Sequence, residues 1–236
     1  MNNILLTICA RGGSQSISQK NIRKLNGKPL IKYTIESAIK WGKADRIVVS
    51  TDSKEIAKIS MDSGAEVPFI RPSSMAENDS PKLPVIKHAV KYCIDNLGDN
   101  PNYIIDLDPT SPLRKIDDIE NCFQTLITDI NCDSVISAYE SVKNPYFNMV
   151  EINSDGFARV SKNISNKKFE SRQEAPIVYS INASIYMWKL KAFLNIDKIL
   201  SGNLKIVKMP YERSIDIDSI TDWKIVENII KNNEKI

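Results

Sequence analysis

Short apolar runs alternate with segments of helical period over the first 140 residues, and this alternation limits the chain more than any other feature. Ile4 to Ile8, Arg46 to Thr51, Tyr103 to Asp108 and Ser134 to Ala138 read as strands buried on both faces. Glu66 to Ile70 is a shorter run, and Pro68 moves it toward a sheet edge. Between them, Leu30 to Ile39, Ser53 to Ser63, Pro84 to Leu97 and Ile116 to Ile127 carry apolar side chains at helical spacing. Strands joined by helices pair in parallel, with helices over both faces of the sheet.

The alternation breaks from about Tyr139 to Tyr179. Asn144-Pro145-Tyr146-Phe147, Asp155-Gly156-Phe157 and Asn163 to Lys168 are polar turns with short aromatic pieces, which predict an antiparallel insertion. Strand-like runs return at Ala183 to Trp188, Lys205 to Met209 and Ser214 to Asp218, and Asp222 to Ile230 closes the chain as a helix. The expected fold class is α/β: a Rossmann-like, doubly wound, mostly parallel sheet with a small antiparallel dimerisation insertion. The chain has 236 residues and no internal repeat, so one domain, 1–236, is expected, with an inserted lobe at about 140–180. Tyr139, Tyr146, Phe147, Phe157 and Phe169 fall in a segment too polar to build its own core, so the lobe is expected to meet a second copy in a homodimer.

Composition excludes several classes. Charged residues make up 26% of the chain and the net charge is only +3, with both signs interspersed, so neither a nucleic acid nor a membrane surface is an expected partner. Cys9, Cys93, Cys122 and Cys132 form no C-x-x-C pair and His88 is the single histidine, which argues against zinc and redox sites. Scattered reduced thiols, no leader-like N-terminus and no long apolar stretch predict a cytoplasmic location.

The basic residues cluster instead after the first strand. Cys9 to Leu30 holds Gly12 and Gly13 beside Arg11, Lys20, Arg23 and Lys28, and Pro29 suits the first turn of the following helix. The segment matches neither G-x-x-x-x-G-K-[ST] nor G-x-G-x-x-G. A strand, a glycine loop with four cations and a helix N-terminus are nevertheless the parts of an oxyanion cradle. Arg71 and Asp106-Leu107-Asp108 lie after other strands, at the edge where doubly wound sheets hold ligands, so one nucleotide site is expected there.

Ile215-Asp216-Ile217-Asp218 alternates with period two. On an extended segment Asp216 and Asp218 share a face, about 6.6 Å apart along the strand, where they can bind Mg²⁺ or simply face solvent. Asp106 and Asp108 have the same spacing and the same two readings. With no Ser-His-Asp or Cys-His arrangement, phosphoryl chemistry by positioning and electrostatics fits the inventory best.

Ala10-Arg11-Gly12-Gly13-Ser14, Lys20-Asn21-Ile22 and Leu25-Asn26-Gly27-Lys28-Pro29-Leu30 resemble the N-terminal motif of the acylneuraminate cytidylyltransferases. Val49-Ser50-Thr51-Asp52, Arg71-Pro72, Pro109 to Arg114, Arg172-Gln173, Asn182 to Tyr186 and Ser214 to Asp218 follow in that family's order. The resemblance implies a single nucleotidyltransferase domain that couples CTP to a nine-carbon 2-keto sugar acid and releases pyrophosphate, with Mg²⁺ or Mn²⁺ as cofactor and a dimer formed through the lobe. It implies that Arg11 and Lys20 hold the triphosphate, with Ala10, Gly12, Gly13, Ser14, Asn21, Arg71 and Ser80 around the nucleotide. Asp108, Thr110, Ser111, Arg172, Gln173 and Asn182 would meet the sugar, and Asp216 and Asp218 the metal. Arg11, Lys20, Asp216 and Asp218 would then be catalytic. Leu107-Asp108-Pro109-Thr110-Ser111-Pro112 looks more like the branch acting on legionaminic acid than the one acting on N-acetylneuraminic acid. Gln15-Ser16 stands where the family has Lys-Gly, and Ser16 lacks the freedom of glycine. A metal-dependent glycosyltransferase using a sugar nucleotide, and an inactive nucleotide-binding homologue, are the alternatives.

Overall fold

The computed structural model describes residues 3–77, 79–164 and 169–233. Its central sheet has six strands: β1 (Ile4–Cys9), β4 (Arg46–Ser50), β5 (Tyr103–Leu107), β6 (Ser134–Glu140), β9 (Tyr179–Lys189) and β10 (Leu204–Lys208). Their order is β10-β6-β9-β5-β1-β4. The pairs β1–β4, β1–β5 and β10–β6 are parallel, while β9 runs antiparallel between β5 and β6. Five strands therefore present their carboxyl ends at one edge, and the mostly parallel α/β sheet expected from the sequence is what forms.

Strand residues divide between two cores with period two, because successive side chains leave a strand on opposite faces. Leu6, Ile8, Ile105 and Met187 join a core with α1 (Leu30–Trp41), α2 (Lys54–Asp62) and α4 (Ile116–Thr128). Leu5, Ile104, Ile136 and Trp188 join the opposite core with α3 (Lys82–Leu97) and α5 (Leu190–Asn195). Each fully buried aliphatic side chain contributes about 1.5–3 kcal/mol, so the sheet is sealed on both faces. A third core sits at the carboxyl edge. There α6 (Ile220–Asn233) packs Trp223 and Val226 on Ile17, Leu25, Leu30 and Ile217, tying the N-terminal loop to the C-terminal segment.

Several elements depart from the sequence pattern. Glu66 to Ile70 forms no strand: Glu66 makes an isolated parallel bridge to Val48, and Pro68 prevents a continued ladder. Ser214 to Asp218 is not a strand either. Asp218 N–H donates to the Asp216 carbonyl at 3.1 Å, so the backbone doubles back between the two carboxylates. A two-residue hairpin not expected from the pattern, β2 (Lys24–Leu25) and β3 (Lys28–Pro29), turns at Asn26 and Gly27, with φ of 46° and 79°.

The lobe contains an antiparallel pair, β7 (Val150–Ile152) and β8 (Ala158–Val160). The expected polar turn over Asn163 to Lys168 falls largely on 165–168, outside the described residues. Among the described residues no helix is long and apolar enough to cross a membrane.

Candidate active site

A cleft of about 280 Å³ opens at the carboxyl edge, lined by Cys9, Arg11, Lys20, Asn21, Arg71, Glu77, Ser80, Lys82, Asp108 and Thr110 among others. Its two ends have opposite character.

One end is cationic. Arg11 leaves the sheet after β1 and its Nη1 donates to the Glu77 carbonyl at 2.8 Å. Asn21 Nδ2 donates to the Arg11 carbonyl at 3.0 Å, while its own Oδ1 is buried without a hydrogen-bond partner among the described residues. Lys20 Nζ donates to the Ile217 carbonyl at 2.7 Å and lies 3.3 Å from Asp218 Oδ1. Arg71 is buried, and its N–H is fixed on the Thr51 carbonyl at 2.8 Å. Its Nη2 is 3.7 Å from Asp52 Oδ1, and neither Nε nor Nη2 has a hydrogen-bond partner among the described residues. Burial lowers the Arg71 pKa, only partly offset by Cys9 and Asp52. A buried guanidinium group in a cleft, with two nitrogens short of hydrogen-bond partners and only a 3.7 Å ion pair to Asp52, can receive an anion or a carbonyl.

The other end is acidic. Asp106 is fully buried at the end of β5 and accepts from Thr7 Oγ1 at 2.8 Å and Cys9 Sγ at 3.5 Å. Lys82, at the start of α3, bridges Asp106 Oδ2 at 2.9 Å and Asp108 Oδ2 at 2.7 Å. Burial opposes the Lys82 charge, but the two carboxylates outweigh it and hold its pKa well above the usual lysine value. Asp108 Oδ1 accepts from Thr110 N at 3.1 Å and Thr110 Oγ1 at 2.7 Å. Burial would raise the Asp108 pKa; Lys82 and Thr110 bring it below the usual carboxylate value.

Asp216 is the contrast. Burial, then the Asp108 charge, pushes its pKa up to about 6, against a hydrogen bond from Thr110. Its Oδ1 is buried with no hydrogen-bond partner among the described residues. Asp218 is 78% exposed in its side chain and leans on Lys20. The tight turn thus gives the two carboxylates different surroundings, not the shared strand face that period two predicted. Among the described residues no three His, Cys, Asp or Glu side chains are grouped to hold a metal alone. A divalent ion fits Asp216 with Asp108 or Asp218 only if phosphate oxygens complete its shell, which is how Mg²⁺ is commonly held beside nucleotides.

The other expected residues fall in three places. Ala10 is buried, its N–H on the Ser50 carbonyl at 3.0 Å, and Gly12, Gly13 and Ser14 form the loop beside the cleft wall. Gly12 N–H donates to Asp52 Oδ1 at 2.9 Å, and a Cβ on Gly12 would meet Ser53 Cβ at 3.0 Å, so glycine is needed here for close packing. Ser16 has no positive φ, so a serine there carries no backbone strain.

Ser111 and Asn182, expected at the sugar, are buried and are not among the residues that line this cleft. Asn182 Nδ2 donates to Ser214 Oγ at 2.9 Å and its Oδ1 accepts from Ser137 Oγ at 2.6 Å, so it anchors the segment that carries Asp216. Ser111 Oγ donates to the Asn182 carbonyl at 3.4 Å. Arg172 and Gln173 line a separate cleft of about 390 Å³ with Glu140, Ser141 and Asn144, and Arg172 Nη2 donates to the Ser141 carbonyl at 3.1 Å. Lys82 was missed by sequence reasoning: one lysine at the end of a polar loop carries no signal until the fold sets it against Asp106 and Asp108.

A doubly wound sheet with a cationic loop after its first strand, and carboxylates facing it across the same edge, defines a nucleotide-binding α/β enzyme. The chain belongs to the cytidylyltransferase family, whose pattern it matches over residues 5–222, and is a CTP-dependent nucleotidyltransferase. It is 40% identical over 231 residues to post-translational flagellin modification protein B of Campylobacter coli, covering 98% of this chain and 96% of that one. It is 38% identical over 230 residues to CMP-N,N'-diacetyllegionaminic acid synthase of Campylobacter jejuni, with the same two coverages. Its fold superimposes on a CMP:2-keto-3-deoxy-manno-octonic acid synthetase with a TM-score of 0.70, at 15% identity, over 98% of this chain and 100% of that one.

Proposed function

We propose that the cleft binds CTP at its cationic end and a nonulosonic, nine-carbon 2-keto sugar acid at its acidic end, giving a CMP-sugar and pyrophosphate. The observation that carries this is the edge of buried Arg71, whose Nε and Nη2 lack hydrogen-bond partners among the described residues, set with Arg11, Lys20 and the unmatched Asn21 Oδ1 around one cleft. In the reaction the C2 hydroxyl oxygen of the sugar bonds to the α-phosphorus, the bridge to the β-phosphate breaks, and the hydroxyl proton is released. Arg11 and Lys20 hold the phosphates, and Arg71, Asn21 and Ser80 hold the nucleoside. Asp216, with Asp108 or Asp218, would hold Mg²⁺ or Mn²⁺, which would supply charge stabilisation at the phosphates.

The sugar we favour is legionaminic acid over N-acetylneuraminic acid, supported by the named activity of the Campylobacter jejuni relative. Lys82 donates to one oxygen of Asp108 and Thr110 to the other, so a sugar N–H that meets Asp108 would share oxygens whose orientation is already fixed.

The lobe serves a homodimer. Val150, Ile152 and Phe157 on and beside the β7–β8 pair are 60%, 75% and 60% exposed, which a second copy would cover. Pyrophosphate release from CTP with each sugar acid tests the proposal. The expected result is turnover with a higher kcat/KM for legionaminic acid; preference for N-acetylneuraminic acid overturns the sugar, and no release with either overturns the reaction.

A further inference from the structure

Among the cations that line the cleft, Lys82 has the most complete set of partners. Its Nζ donates to Asp108 Oδ2 at 2.7 Å, forms an ion pair with Asp106 Oδ2 at 2.9 Å, and lies 4.4 Å from the Tyr186 ring centroid. An ammonium held this way has little left to offer a phosphate. Arg71, with Nε and Nη2 lacking hydrogen-bond partners among the described residues, is the opposite case.

What Lys82 holds is informative. Asp108 is gripped on Oδ2 by Lys82 and on Oδ1 by Thr110. The Thr110 carbonyl in turn accepts from Ile217 N at 3.0 Å, in the segment that carries Asp216. A continuous path of polar contacts thus runs from the first residue of α3, through Asp108 and Thr110, to the loop that presents Asp216. Without Lys82, the buried Asp106 would lose its cation, and Asp108 would keep only Thr110 to orient it.

We propose that Lys82 is a positioning residue for the transfer step: it fixes the Asp108 carboxylate, and through Thr110 the Asp216 loop, and it is not a ligand of the triphosphate. The inference rests on the reading that this cleft binds CTP and turns it over. Its content is a separation of two lysines that composition treats alike, with Lys20 acting on the nucleotide and Lys82 on the geometry of the acidic end.

The test pairs calorimetric titration of CTP with steady-state kinetics on wild type, Lys82→Met, Lys20→Met, Asp108→Asn and the double variant Lys82→Met/Asp108→Asn. Lys82→Met is expected to keep CTP affinity within about threefold while kcat falls about 10- to 100-fold, the pattern of an interaction that matters in the transition state. Lys20→Met is expected to lose at least about tenfold in CTP affinity. Adding Lys82→Met to Asp108→Asn is expected to cost less than about threefold more, because both changes act through one carboxylate. A tenfold loss of CTP affinity in Lys82→Met with kcat spared overturns the proposal, as does an equal cost of Lys82→Met in both backgrounds. If Lys82→Met does not fold, Lys82→Met/Asp106→Asn removes the stranded buried charge and the same two readouts decide. Absence of CTP binding by the wild type would overturn the underlying reading itself, and this inference with it.

Discussion

The two ends of the cleft solve opposite electrostatic problems. At the cationic end, Arg71 is buried yet leaves two guanidinium nitrogens without hydrogen-bond partners among the described residues, with Asp52 only at 3.7 Å, and Asn21 leaves an oxygen unmatched. At the acidic end, Thr7, Lys82 and Thr110 hydrogen-bond Asp106 and Asp108, Asp106 Oδ2 has the Lys82 charge at 2.9 Å, and Asp216 Oδ1 has neither a hydrogen bond nor an ion pair among the described residues. Unpaired buried groups cost stability, so they persist where a ligand will satisfy them. The difference separates binding from orientation. Under the proposed function the cationic end would receive an anion, while the acidic end is pre-set by its own contacts and Asp216 would take a cation.

The largest effect that can break this comparison is at Asp216. Asp216→Asn is expected to lower turnover by orders of magnitude, since a carboxylate that serves the transition state is lost. The same change is expected to raise Tm at pH 7.5. The Asp216 carboxyl titrates at about 6 in the folded chain against 3.8 when unperturbed, so ionising it costs the native state stability. That cost is present in full above pH 6 and disappears as pH falls toward 3.8. The Tm advantage of Asn should therefore shrink as pH is lowered through this window. A variant that loses stability at pH 7.5, or keeps full turnover, breaks the assignment of Asp216.

Protonation offers a milder version of the same perturbation. Turnover at limiting Mg²⁺ is expected to fall about tenfold per pH unit below the Asp216 value of about 6, because proton and cation compete for one carboxylate. Saturating Mg²⁺ should move the fall to lower pH. A profile indifferent to Mg²⁺ would place the titration elsewhere.

The smallest expected effect on the cleft comes from the lobe. Ile152→Asp with Phe157→Asp should convert a particle of about twice 26.6 kDa into a monomer by light scattering, with little change in Tm, because these side chains are exposed within one chain. A wild type that is already monomeric at micromolar concentration would remove the lobe's proposed role.

Much of this site could be read in the chain because its carriers are local. The run from Ile4 through Arg11 to Leu30 holds strand, glycines, cations and helix start in one stretch, and Asp108 follows a strand whose burial the pattern shows, while Arg71 follows a run that makes only an isolated bridge. What escaped depends on contacts across the fold. Lys82 gains its meaning from Asp106 and Asp108, more than twenty positions away. Asn182 reads as a polar residue near a ligand, yet its partners Ser137 and Ser214 lie in separate segments that bury it. Ser214 to Asp218 alternates like a strand, and Ile217 does enter a core, but no neighbouring strand offers a ladder and the backbone turns instead. Period two reports which side chains are buried; it does not report whether a partner strand exists.

The comparison of the two ends is tested most directly at Arg71, by calorimetric titration of CTP without sugar. Because its Nε and Nη2 make no hydrogen bond among the described residues, Arg71→Ala should leave the fold intact with little change in Tm. The account predicts that CTP affinity falls about 10- to 100-fold, the loss of charge-assisted hydrogen bonds of roughly 1.5–3 kcal/mol. Wild-type CTP affinity in Arg71→Ala would contradict it, because the cationic end would then not be the receptor that its unmatched donors describe.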